Sequence, residues 1–114
     1  MSTATTVAAT ADSALEPVAE DLSLYVIGGR VHSSAAALSE AEEAERVGLG
    51  RLWLSERYDL KEAGVLLGGM AARTSRLRFG TAALFPGSRP PILTAALGAT
   101  FHSAFGPRLT LGLG

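Results

Sequence analysis

A chain of 114 residues, 47% hydrophobic and 18% charged, has the composition of one globular α/β domain or part of a larger one. Its formal net charge of −1, with no run of Lys or Arg, excludes an electrostatic footprint for nucleic acid or for an anionic membrane surface. The absence of cysteine excludes disulfides, thiolate metal sites and a Cys nucleophile, and the expected compartment is the cytoplasm.

Residues 1–22 are rich in Ala, Thr and Ser and carry Asp12, Glu16, Glu20 and Asp21. They lack the basic start and apolar core of a secretory signal, and no run of about 18 apolar residues occurs to span a membrane. A disordered tail is expected there, ahead of one domain over 23–114. Leu24-Tyr25-Val26-Ile27, closed by Gly28-Gly29, reads as a buried first strand. A helix then starts at Ser33 or Ser34, or at Ser39, which forms a capping-box pattern with Glu42. Ala37, Ala41, Ala44 and Gly48 share one face of it, with Glu40, Glu42 and Glu43 elsewhere on the surface. Gly48 and Gly50 are natural stops.

Leu52-Trp53-Leu54 is the second strand and runs into Ser55-Glu56-Arg57. Asp59, with Glu62 three residues on, is the expected cap of a second helix. In that helix Ala63, Leu66, Leu67 and Met70 recur at i, i+3, i+4 and i+7. A third strand covers 77–84. Pro90 and Pro91 suit the first turn of a third helix, where a missing N–H costs little. Leu93, Ala96, Leu97, Thr100, Phe101 and Ala104 are its expected buried stripe, Gly106-Pro107 its end, and 109–113 the fourth strand.

Strand–helix–strand spacing of this size builds parallel sheet, and both the doubly wound open sheet and the eight-stranded βα barrel use it. A barrel needs about 250 residues, so this chain supplies about half of one. Two motifs are incomplete: Gly112-x-Gly114 has no further glycine and no following helix, and Gly28-Gly29 has no Lys-Ser/Thr partner. No nucleophile elbow, no H-E-x-x-H and no paired carboxylates at catalytic spacing are present. Chemistry would have to come from a cofactor that the protein positions.

Three stretches together point to a family. Ala44-Glu45-Arg46-Val47-Gly48-Leu49, Leu52-Trp53-Leu54-Ser55-Glu56-Arg57 and the run from Arg76 to Gly114 resemble the luciferase-like monooxygenase superfamily. Asp59-Leu60-Lys61-Glu62-Ala63-Gly64, followed by Thr74-x-Arg76-Leu77-Arg78-Phe79-Gly80-Thr81, is more similar to the branch using the deazaflavin F420 than to the branch using FMN. The family pattern A-T-x5-G-R-x-x-L-G-x-G is matched from Ala99 to Gly114, except that Pro107 separates Gly106 from Arg108.

The resemblance implies the N-terminal half of a (βα)8 TIM barrel, β1-α1-β2-α2-β3-α3-β4 with parallel strands. It implies an oxidoreductase or monooxygenase acting on a small molecule by hydride transfer or oxygen activation, with F420, or alternatively FMN, as cofactor. Thr81, Ala82 and Ala83 would lie behind the ring, with a non-proline cis peptide at Ala82–Ala83 or one bond earlier. Glu56 and Arg57 would form a polar shelf beside it, Glu56 orienting Arg57. Arg30 and His32 are the catalytic candidates, standing where relatives place an acid or a His.

Each residue has a plainer reading. Gly80 and the alanines fill a tight interior, Glu56 and Arg57 make a surface ion pair, and His32 is a solvated loop residue. His102 is structural or exposed in the third helix. The competing functions are a non-catalytic fragment without the later loops that hold the cofactor's phosphate tail, or a small α/β binding or oligomerisation domain. The unpaired edge of the fourth strand favours a homo-oligomer or aggregation.

Overall fold

The protein, seen in a computed structural model, is described at residues 21–30 and 32–114; the expected tail over 1–22 lies almost wholly outside them. Strands β1 (Ser23–Tyr25), β2 (Arg51–Leu54), β3 (Arg78–Thr81) and β4 (Leu109–Thr110) alternate with helices α1 (Ala35–Arg46), α2 (Ala63–Ala72) and α3 (Pro91–Phe105). A short 3-10 turn, Pro86–Ser88, precedes α3. The strands form one parallel sheet in the order β1-β2-β3-β4. Each crossover carries one helix, as parallel pairing requires.

The pleat sorts side chains into two faces. Leu24, Leu52, Phe79 and Leu109 share one register row, and Tyr25, Trp53, Gly80 and Thr110 the next. Successive residues of a strand point to opposite sides, so the first row faces the helices and the second does not. Leu52, Leu54, Leu77 and Phe79 are fully buried against Ala37, Ala41 and Ala44 of α1 and Leu66, Leu67 and Met70 of α2. Both helical stripes therefore match their sequence spacing. Gly28 allows α1 to sit close to the sheet, because a Cβ there would lie 2.4 Å from the Ala37 nitrogen.

Several boundaries differ from the sequence expectation. β1 is exposed at all three residues, because among the described residues it pairs only with β2; Val26, just beyond it, is buried. Helix α1 does start after Ser34, one of the expected starts, although that side chain makes no cap bond, while Ser39 and Glu42 of the alternative start lie inside the helix. Glu62, not Asp59, caps α2: its carboxylate accepts from the Val65 N–H at 2.8 Å, while Asp59 receives Arg57 at 2.9 Å. Strands β3 and β4 are shorter than the apolar runs, although a Leu84–Leu113 bridge extends their pairing.

The broad stripe expected on α3 narrows to one line. Phe101 is buried and Leu97 and Phe105 are partly buried, whereas Leu93, Ala96, Thr100 and Ala104 are exposed. The spacing 97, 101, 105 is one side chain per turn, so α3 touches the core along a single ridge. Phe101 meets Phe79 edge-on at 6.1 Å and Phe105 at 5.0 Å.

Two charged side chains lock the ends of elements away from the strands' exits. Glu45 of α1 accepts from the backbone N–H groups of Ser75, Arg76 and Leu77 at 2.7–3.1 Å. Arg108 follows the turn at Gly106, whose φ of 86° favours glycine, and donates to the carbonyls of Ala71, Leu77 and Phe105 and to the Thr74 hydroxyl. The inserted Pro107 is exposed in that turn while Arg108 points inward, 5.7 Å over the Phe79 ring. Burial pushes the Arg108 guanidinium below its ordinary pKa, with Glu45 acting the other way.

Candidate functional site

The C-terminal ends of the four strands converge at one rim, built from Val26–Gly28, Ser55–Glu56, Thr81–Ala83 and Gly112. Backbone bonds tie it together. Val26 N–H donates to the Trp53 carbonyl at 2.8 Å, Ala82 N–H to Leu54 at 2.8 Å, Glu56 N–H to Ala83 at 3.3 Å and Leu84 N–H to Gly112 at 2.9 Å. The Ala82–Ala83 peptide is cis, at one of the two positions the resemblance indicated. Ala82 is exposed and Ala83 half-buried. Among the described residues the Ala82 carbonyl and the Ala83 N–H have no hydrogen-bond partner. With methyl side chains on both residues, a donor and an acceptor stand side by side at an accessible point of the rim.

Thr81 is placed differently from its neighbours. It is 1% exposed, and its hydroxyl donates to the Gly112 carbonyl at 2.9 Å and accepts from the Gly112 N–H at 2.8 Å. The side chain therefore links β3 to the chain beyond β4 and contributes to the rim through its backbone. Gly112 must be small: a Cβ there would lie 2.2 Å from the Thr81 carbonyl oxygen.

Glu56 does not orient Arg57. Its side chain is fully buried, accepts from the Ala63 N–H at 3.0 Å and pairs with Arg89. The same Arg89 nitrogen contacts Glu62 at 2.6 Å. Two carboxylates thus meet one guanidinium at the N-terminus of α2, where helix N–H groups also favour negative charge. The Glu62 hydrogen bond and, opposing it, burial act on Arg89, with Glu56 adding to a net upward pKa shift. Burial pushes Glu62 up, but Arg89 and the Val65 and Gly64 N–H groups outweigh it and hold the carboxyl below its ordinary value. Arg57 is exposed and pairs with Asp59 instead. Distance along the chain explains why this pair was not visible in sequence: Arg89 lies in the loop after β3, with no periodic pattern around it.

Lys61 is a second residue the sequence does not reveal. It is 5% exposed, and its ammonium donates to the Val26 and Gly28 carbonyls at 3.1 and 3.2 Å, pinning the exit of β1. Arg30 and His32 follow that exit and are exposed, and neither side chain reaches Ala82 or Ala83 through a described contact. His102 is exposed on α3. Among the described residues no group of acidic and imidazole side chains could hold a metal ion. No described helix is long and apolar enough to cross a membrane.

The model of the luciferase-like monooxygenase family matches residues 5–114. The chain belongs to that family. Among solved structures, the coenzyme F420 dependent tetrahydromethanopterin reductase from Methanopyrus kandleri superposes with a TM-score of 0.73 at 22% identity. The match covers 81% of this chain and 26% of the reductase. At that identity the likeness establishes the fold, the leading strands and helices of a parallel barrel. No curated protein matches the sequence. In barrels of this kind the working face is the one at the C-terminal ends of the strands, which is the rim described above.

A flat ring needs backbone that can be approached closely and a donor–acceptor pair for its polar edge; Ala82 and Ala83 offer both.

Proposed function

We propose that this chain forms the ring-seating part of an oxidoreductase dependent on F420 or, alternatively, FMN, acting on a small organic substrate by hydride transfer or oxygen activation. The observation that carries the reading is the pair of unpartnered backbone groups at Ala82 and Ala83, on the working face of a family whose members are luciferase-like monooxygenases. When bound, the reduced cofactor supplies the electrons. The protein's own part is placement. Ala83 N–H and the Ala82 carbonyl hydrogen-bond the polar edge of the ring, and the Thr81–Gly112 bonds hold β3 and β4 together behind it. Glu56 supports the rim without touching the ring, because its carboxylate is buried. Arg30 and His32 are the groups that could exchange a proton with substrate from the β1 exit.

The fold match of 26% of the reductase supports a second reading, in which the 114 residues bind no cofactor alone. Exposed Val65, Ile92 and Leu93, beside an apolar groove of about 170 Å³ between α2 and α3, support self-association in either case. Titrating the protein with FMN and with F420, followed by visible absorbance, separates the readings. Saturable binding that Ala82→Leu weakens by about tenfold or more supports the first, since a larger side chain blocks the approach. No binding of either cofactor supports the second.

A further inference from the structure

At the opposite end of the same strands, the first residues of β1, β2 and β3 are Ser23, Arg51 and Arg78. They share one register row: Ser23 is paired with Arg51, and Arg51 with Arg78. Neighbouring parallel strands run about 4.8 Å apart, so the two arginines leave the backbone side by side on the face the helices do not cover. Like charges directly opposed across a strand pair repel.

Nothing among the described residues relieves that repulsion. Neither guanidinium has a carboxylate within ion-pair distance, although Asp21 lines the same groove. Arg78 makes one hydrogen bond, from Nε to the Gly50 carbonyl at 3.2 Å. Arg51 makes none, and its Nε is buried without a partner. Its guanidinium rests 5.4 Å from the centre of the Trp53 ring, which fixes its plane. Trp53 itself lies over Gly80, where a Cβ would come within 2.3 Å of the indole. The result is a groove of about 270 Å³ lined by Ser23, Arg51, Trp53, Arg78, Asp21 and Leu22. It brings two guanidiniums and the Ser23 hydroxyl together, with Asp21 also on its lining.

We propose that Ser23, Arg51 and Arg78 form a binding site for a phosphate-class oxyanion at the N-terminal ends of the strands. Two guanidinium forks match the oxygens of a tetrahedral dianion, and the Ser23 hydroxyl adds a third donor. A bound dianion converts the repelling row into an attractive one. The site is independent of the cofactor reading, because the strands separate it from Ala82 and Ala83.

The chain's single tryptophan makes the test direct. The 114-residue protein is titrated with sodium phosphate, with sodium chloride at matched ionic strength and with sodium acetate, following Trp53 emission and the thermal unfolding midpoint. Phosphate is expected to change the emission saturably and to raise the midpoint above the chloride control. Arg51→Gln and Arg78→Gln each weaken binding by about tenfold, and Arg51→Lys, which keeps charge but loses the fork, falls between. Without phosphate both Gln variants unfold no earlier than the parent, since each removes one of two repelling charges. A response indistinguishable from chloride, an equal response to acetate, or undiminished phosphate binding by the Gln variants overturns the proposal.

Discussion

Replacing Arg89 with Met removes a cation that one fully buried carboxylate depends on. The Glu56 side chain is 0% exposed and has two partners, Arg89 and the Ala63 N–H at 3.0 Å. Met preserves most of the apolar stem of Arg89 but leaves Glu56 with the single backbone donor. Breaking a buried pair by removing one member costs about 3–5 kcal/mol. Glu62 adds under about 1 kcal/mol, because its side chain is 42% exposed and water takes over from Arg89. Against a total stability of about 5–15 kcal/mol, that is a large fraction. Urea unfolding followed by Trp53 fluorescence should therefore show a midpoint lowered by roughly 1–5 M, given slopes of about 1–3 kcal/mol per molar. Glu56→Gln in the Arg89→Met background removes the uncompensated charge. It should restore part of the loss, giving a coupling energy of at least about 2 kcal/mol across the cycle. An Arg89→Met variant within about 1 kcal/mol of the parent, or a strictly additive cycle, refutes the idea that Arg89 neutralises Glu56.

Acid unfolding isolates Glu45. Burial pushes its carboxyl up, but the N–H groups of Arg76, Leu77 and Ser75 outweigh burial and hold the folded pKa below the ordinary 4.5. A depressed folded value means stability is fully present above about pH 4.5 and is lost as pH falls through the folded pKa. Glu45→Gln should cost about 1–3 kcal/mol at pH 7 and make the melting temperature less steep below pH 4.5; an unchanged acid limb argues against it. Arg108→Met should be among the most damaging single changes, at about 3 kcal/mol, since four carbonyls and a hydroxyl lose a charged donor together, and calorimetry reads it directly. Gly80→Ala places a methyl 2.3 Å from the Trp53 ring, so a loss of about 1–3 kcal/mol with a shifted emission maximum is expected; an unshifted spectrum argues against the stacked position of the indole.

The sequence by itself determined the order of helices and strands and the direction in which the strands run, while several of their ends were set by the fold. Apolar spacing on α1 and α2 is a local property, and helices between short strands leave parallel pairing as the only economical connection. It also placed Thr81–Ala83 late in the third strand, and the family resemblance, not spacing, gave those residues a role beside a ring. Tertiary structure alone decided who faces whom. Glu56 is adjacent to Arg57 in sequence, yet it is bonded to Arg89, because β2 and the loop after β3 leave the sheet at the same end. Asp59 has a good capping side chain, yet the turn at Arg57–Lys61 takes it to Arg57 and leaves the cap to Glu62. Arg51 and Arg78 are separated along the chain by a whole strand–helix unit, and only strand register sets them in one row. Local pattern reports what each residue costs to bury; long-range pairing, which no window of sequence contains, assigns its neighbours.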